Sequence, residues 1–349
     1  MAHNVIDLHC DSVFSLMEGK DLRQSVPEIH VDLPRLRKGN VALQVFAAYV
    51  PPETETGKAF DYVSKWLDSI DAFARSDDLL MPVENSAELS ACIASGKTGI
   101  MLAVENALAI DDSLEKLAQL RERKVRILTL VHSEHMSWIE SCTGKEQFIS
   151  DSDQGRGLGR FGEKVVDVMN DLGIIPDVSH CSENAFWDVI KRSKKPVVAS
   201  HSCAYNICAA ARNLKDDQLK ALGDTGAVVG VNFCAPFLNE PFRLQYAEAV
   251  KNNPSLRAQL TPSKPIPGVS AAVPMTDIAD HIDYMVNLAG EDSVALGSDF
   301  DGIPAAPDGV TGCDFYPLLE AELRSRGYSE NRIEKIFNAN FIRLLSAWD

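Results

Sequence analysis

Short apolar runs alternate with amphipathic stretches along the whole chain. The apolar runs read as strands at Val5–His9, Ala42–Tyr49, Gly99–Val104, Val125–Val131, Ile174–Val178, Pro196–Ser200, Ala227–Phe233 and Ser293–Gly297. Between them, apolar positions recur at helical spacing in Ala59–Phe73, Leu114–Arg123, Gly162–Leu172, Glu183–Lys191, Asp217–Leu222 and Thr276–Ala289. A last helix is predicted over Ser329–Leu345, opened by Ser329 and lined by Ile333, Ile336, Phe337, Phe341 and Leu344. Runs such as VRILTLVH and AVVGVNF are too apolar for a sheet with one wet face, so the strands belong to a parallel sheet covered on both sides. Eight such strands separated by helices fit a closed (β/α)8 TIM barrel better than an open doubly wound sheet.

No repeat, low-complexity tract or Gly/Ser linker interrupts the pattern, so residues 1–349 read as a single α/β barrel domain. The Pro-rich stretch from about Cys234 to Val273 is expected to be an irregular insertion before the last barrel helix. Composition narrows the partners. Acidic residues outnumber basic ones by 50 to 34, a net charge of −16, which argues against nucleic acid or an anionic membrane surface. Short basic runs such as Arg121, Arg123, Lys124 and Arg126 read as solvated helix ends or loops. No apolar run approaches the ~20 residues that span a bilayer. The opening MAHNVIDLHCD lacks a basic region followed by an apolar stretch, and the eight cysteines are scattered without a C-x-x-C pair. Both features predict a cytoplasmic protein with reduced thiols.

Polar residues collect where the strands end. Reading those ends in order gives His9 with Asp11, then Glu105, His132, His180, His201, and Asp299 with Asp301. In a barrel the catalytic groups sit at the carboxyl ends of the strands. Taken singly, each position has an ordinary structural explanation. His9 and Asp11 fit a strand-end hydrogen-bond pair as well as two ligands of one cation. Glu105 fits a carboxylate capping the next turn, or one bridging two ions. His180 and His201 could be satisfied core histidines. Asp301 precedes Gly302 and is assigned to a turn, whereas Asp299 is assigned to proton transfer beside a metal-bound water. Arg212 could pair with Asp216 or Asp217, or could hold a substrate carboxylate. Taken together, imidazoles and carboxylates at successive strand ends point to a metal centre. A donor set without thiolates suits Zn²⁺, with Mn²⁺, Co²⁺ or Fe²⁺ as alternatives.

These residues lie in motifs that resemble the membrane (renal) dipeptidase family of zinc metallopeptidases, a branch of the amidohydrolase superfamily. The motifs are IDLHCDS, LAVEN, ILTLVHS, GLGRFGEKVVDVMNDLGIIPDVSHCS, VVASHSCAYNICAAARNLKDDQLKAL and VALGSDFDGIP, in the family's order from residue 5 to about 303. The resemblance implies a (β/α)8 barrel that hydrolyses free dipeptides, including those with a D-residue at the C-terminal position, by a hydroxide activated on two zinc ions. It implies that His9 and Asp11 hold one zinc, that Glu105 bridges both, and that His180 and His201 hold the second. It further implies that His132 contacts substrate and stabilises the tetrahedral intermediate, that Arg212 holds the terminal carboxylate, and that Asp299 is base and acid. A homodimer is implied as well.

Two positions depart from the family pattern. His135 stands in HSEHMSW where an amide is usual, and Cys10 stands between the first two ligands where Asn is commoner. Alternation points Cys10 away from the metals. Other chemistries open to such a centre are cleavage of an N-acyl amino acid, cyclic amide or lactone, or metal binding without turnover.

Overall fold

Eight parallel strands close into a ring: β1 (Val5–Cys10), β2 (Val41–Tyr49), β3 (Thr98–Glu105), β4 (Ile127–Thr129), β5 (Ile175–Asp177), β6 (Val198–Ser202), β7 (Val228–Val231) and β8 (Val294–Leu296). The first strand pairs with both the second and the last, which closes the (β/α)8 barrel. This computed structural model describes residues 3–145, 147–149, 151, 155–258 and 266–349. A short additional strand, Leu80–Pro82, pairs only with the first residues of β3.

Alternation along the strands divides the core into two layers. Leu43, Val45 and Ala47 of β2 and Met101 and Ala103 of β3 belong to an inner cluster with Ile127, Ile175, Val198, Val228 and Ala295. Phe341, Leu344 and Leu345 from the chain's last helix, and Trp348 just after it, join that cluster. The intervening strand residues, such as Phe46, Ala48 and Val104, pack outward against the helices.

Helices form at Ala59–Ala74, Leu114–Glu122, Arg160–Leu172, Glu183–Arg192, Asp216–Asp224 and Thr276–Ala289, close to the positions expected from periodicity. The last predicted helix is three joined pieces, Glu330–Glu334, a π-helical turn Lys335–Ala339, and Asn340–Ser346. The Ser329 side chain accepts from the Arg332 amide at 3.3 Å, as the cap reading requires.

The 234–273 stretch is more regular than expected. It contains the helices Ala235–Leu238 and Glu240–Asn252. The prolines that suggest irregularity, Pro236 and Pro241, occupy the first turns of these helices, where no N–H is needed. The Asn239 side chain caps the second helix by accepting from the Phe242 amide at 3.0 Å. Pro262 and Pro265 lie outside the described residues. Arg126 also differs from expectation. It is buried, and its guanidinium donates to the Trp348 carbonyl. No helix among the described residues is long and apolar enough to cross a membrane.

Candidate active site

The strands deliver their polar residues to one end by two local devices. On β3, simple alternation continues the inner face from Met101 and Ala103 to Glu105. On β1 and β6 the register slips in the interval that contains the histidine, between Asp7 and Cys10 and between Ala199 and Ser202. Such an irregularity re-aims a side chain. Leu8 belongs to the inner layer and Cys10 to the outer, so the side changes at His9. Cys10 is fully buried away from the cluster, as parity suggested. His180 and Asp299 follow β5 and β8 in left-handed conformation, with φ of 68° and 62°. Such backbone is costly outside glycine and concentrates at functional sites.

His9, Asp11, Glu105, His132, His180, His201 and Asp299 meet here, with Arg212 in the wall of the same cavity. The His9 Nε2 lies 3.6 Å from Asp11 Oδ2, 3.8 Å from Glu105 Oε2 and 3.9 Å from Asp299 Oδ1. The other Glu105 oxygen, Oε1, lies 3.1 Å from His180 Nε2, 3.6 Å from His201 Nε2 and 3.8 Å from His132 Nε2. Glu105 therefore stands between two donor sets and turns one oxygen to each. Three overlapping groups are close enough to share an ion: His9, Asp11 and Glu105; Glu105, His132 and His180; His9, His201 and Asp299. The buried His9 Nε2 and Asp11 Oδ1 have no hydrogen-bond partner, as expected of atoms that serve a cation.

The tautomer of His201 is set by its neighbours. Ser200 Oγ donates its single proton to Asp177 Oδ2 at 2.6 Å, so it accepts from His201 Nδ1 at 2.7 Å. That leaves Nε2 bare and aimed at Glu105. Asp177 is fully buried, and it also accepts from Thr129 Oγ1 and from the amides of Ser179 and Ser200. Neither Asp177 nor Asn232 was singled out by sequence reasoning. Asn232 Oδ1 accepts from the Cys234 amide at 2.6 Å, which turns Nδ2 toward Asp299 Oδ2 at 2.9 Å. Asp177 carried a signal, since a carboxylate inside the apolar strand IIPDVS needs partners. Asn232 carried none.

Electrostatics favour positive charge in the cluster. Burial, reinforced by Asp11 and Asp299, pushes Glu105 well above the carboxylate range. Burial raises Asp299 to about 7, with Asp11 adding to the shift while His9, Asn232 and Arg212 oppose it. Burial opposes a charge on His9, yet Glu105, Asp11 and Asp299 together pull that ring up to about 10. His132 is the opposite case: burial, with Arg212 and His9 nearby, holds it neutral with a pKa of about 3. The Tyr49 hydroxyl sits 3.5 Å from His132 Nδ1 and Ser133 Oγ 3.1 Å away, while Nε2 lies 3.8 Å from Glu105 Oε1.

Arg212 does not pair with Asp216 or Asp217. Its Nη2 donates to the His201 carbonyl at 3.0 Å, its buried Nε has no partner, and its guanidinium faces the Phe237 ring. Nor does Glu105 cap the next turn, since the Asn106 side chain does so. Asp301 lies in the turn, as expected, with its carboxylate on His30 and Ser12. Gly302 is required: a Cβ there would lie 2.0 Å from Asp11 Oδ2 and 2.8 Å from Asp299 Oδ1. A cavity of about 750 Å³ opens over the cluster, with Tyr49, His132, Arg212, Phe237 and Asp299 in its wall. His135 lies outside that wall and shapes the following loop. Its Nδ1 accepts from the Ser141 amide at 3.0 Å, and its ring leaves no room for a side chain at position 144, which is Gly144.

A (β/α)8 barrel with imidazoles and carboxylates clustered at the carboxyl ends of its strands defines a metal-dependent hydrolase. The family model of the membrane dipeptidases, peptidase family M19, matches residues 1–349, and the chain belongs to that family. It is thus a metallo-dipeptidase, a hydrolase of peptide bonds. An uncharacterized dipeptidase of Schizosaccharomyces pombe is 30% identical over 327 residues, 90% of this chain and 71% of its own. Dipeptidase 3 of Mus musculus is 29% identical over 320 residues, 90% of this chain but 57% of its own. A metallopeptidase from Rhodobacter sphaeroides, solved with a phosphinate mimic of the dipeptide L-Ala-D-Ala, superposes with a TM-score of 0.85 at 26% identity, covering 100% of both chains.

Proposed function

We propose that the cluster hydrolyses free dipeptides with two divalent ions, Zn²⁺ by the chemistry of its donors, held by His9, Asp11, Glu105, His180 and His201. The observation that carries this reading is the placement of Glu105, one oxygen toward His9 and the other toward His180 and His201. Such ions supply an acidified water and a Lewis acid for the scissile carbonyl. The chain's own residues do the rest. Arg212 binds the C-terminal carboxylate, its guanidinium in no direct ion pair with an acidic side chain among the described residues. Asp299 takes the proton of the attacking water at Oδ1, because Oδ2 is held by Asn232, and returns it to the leaving amine. Neutral His132 donates its Nε2 proton to the oxygen that develops negative charge. The L-Ala-D-Ala mimic bound by the Rhodobacter relative supports acceptance of a D-residue at the C-terminal position. The eight cysteines are all free thiols, which supports a reducing, cytoplasmic setting.

Loss of the carboxylate anchor separates this reading from other amide hydrolyses. Arg212→Ala is expected to raise KM for free dipeptides by about tenfold to a hundredfold, the scale of a charge-assisted bidentate contact. Bound metal should stay unchanged, and C-terminally amidated dipeptides should barely respond. Equal losses on free and amidated dipeptides would remove Arg212 from carboxylate binding.

Metal removal should be most damaging at high pH. Glu105 and Asp299 have raised pKa values in the folded chain, Asp299 to about 7. The metal-free fold is therefore least penalised below the unfolded value of about 4, and loses stability as pH rises through the folded values. His9, raised to about 10, acts in the same direction. Chelation should lower Tm more at pH 8 than at pH 5, as scanning calorimetry would record. A pH-independent drop would contradict the electrostatic account.

A further inference from the structure

The turn that carries Asp299 is unusual. Asp299 and Asp301 both adopt left-handed backbone, with φ of 62° and 68°, and Phe300 between them bridges to Cys10 of β1. Such backbone is strained outside glycine and persists only where the surroundings enforce it. Backbone bonds from the end of β1 and the residue after it hold part of the turn: the Asp299 amide donates to the His9 carbonyl at 3.1 Å, and the Asp11 amide to the Phe300 carbonyl at 2.8 Å. The rest is held from elsewhere in the chain, the Asp301 amide itself donating to His30 Nδ1 at 3.1 Å. Asp301 Oδ1 accepts from the His30 amide at 2.7 Å and lies 3.0 Å from His30 Nδ1. Asp301 Oδ2 accepts from Ser12 Oγ, next to Asp11. The His30 ring is almost wholly buried and stacks on Phe300, with centroids 4.8 Å apart and planes at 18°. Both sides of the turn are thus gripped by His30, one through the Asp301 carboxylate and one through the Phe300 ring.

We propose that Asp301 and His30, with Ser12, form a clamp that positions Asp299 for proton transfer, an inference that rests on Asp299 being the base. None of the three touches substrate in this account; they are positioning residues. The Asp11 amide is held by the Phe300 carbonyl, a backbone bond that does not pass through the Asp301 side chain, so loss of that side chain acts on Asp299 and leaves metal binding intact. Releasing Asp301 lets the left-handed turn relax and swings the Asp299 carboxylate from its place beside His9. The Asp299–Asn232 bond cannot prevent this, because it fixes one oxygen and not the backbone.

A double-mutant cycle tests the clamp on the metal-loaded enzyme with a free dipeptide. Asp301→Ala should lower kcat about 100-fold, the scale on which a displacement of ~1 Å costs rate, with KM within about twofold. Metal content by elemental analysis should remain that of the parent. Asp301→Asn should recover most of the loss, because its amide oxygen still accepts from the His30 backbone amide. In the Asp299→Asn background, Asp301→Ala should cost nothing further. The same loss in both backgrounds would mark a general structural role and overturn the clamp alone, as would parental kcat in Asp301→Ala. Normal turnover by Asp299→Asn is a distinct result: it removes the base and, with it, the clamp's purpose.

Discussion

Asp299→Asn is expected to bind its metals, keep its KM and lose kcat by about 10³–10⁴-fold, the upper part of the range for a displaced acid–base group. The substitution is nearly isosteric. Asn tolerates the left-handed backbone at φ 62°, and its amide oxygen can still accept from Asn232 Nδ2. What disappears is the ability of Oδ1 to hold a proton. The pH dependence carries the same signature. Burial raises Asp299 to about 7 in the bare cluster, and cations beside it favour the ionised form and draw that value down. In the parent enzyme kcat should therefore rise with pH through the Asp299 pKa, because only the carboxylate accepts the proton. The residual activity of the variant should lack that limb. Steady-state rates across pH 5–9 (on the order of one measurement per half unit), with metal content determined alongside, check both claims. Full turnover in the variant would take the proton-transfer role from Asp299.

The site was legible in the sequence because a barrel strand leaves little room for accident. In runs such as GIMLAVE every position up to the last is apolar, so a carboxylate at the end stands out against its own strand. The same contrast marked His9, His180 and His201. What stayed hidden has partners far away along the chain. His30 meets Asp301, and Asp7 holds Ser298 and Tyr316 at the opposite end of the sequence, so no local pattern records these bonds. Register slips were equally silent: the apolar run ending at Ser200 gave no sign that β6 continues through His201 to Ser202 with an irregularity inside it. The helix Glu240–Asn252 was hidden for another reason. Proline was counted as a breaker, although at the first turn it favours a helix. Arg126 was read with its basic neighbours, but its burial depends on the far end of the chain folding back to offer a carbonyl.

Glu105→Gln is expected to be as damaging as loss of the base, but it should act through metal content. Glu105 Oε1 faces His180 and His201 while Oε2 faces His9, so the side chain serves two ions only if both of its atoms are acceptors. Glutamine keeps the size but turns one of them into an N–H donor, which repels a cation and offers nothing to it. Bound metal should fall from two ions per chain to one or none. The loss of Lewis-acid stabilisation, worth several kcal/mol at tenfold per ~1.36 kcal/mol, lowers kcat/KM by about 10³-fold or more. Stability provides a second test with the opposite sign. Without metal, Glu105 is a buried acid beside Asp11 and Asp299, pushed well above its usual range. Removing the acid relieves the cost of burying it and, secondarily, its repulsion by Asp11 and Asp299, so the metal-free variant should melt higher than the metal-free parent at pH 8, although the metal-loaded parent melts higher than either. A carboxylate with a purely structural role would destabilise both forms when replaced. Retention of two ions by Glu105→Gln would refute the bridging assignment.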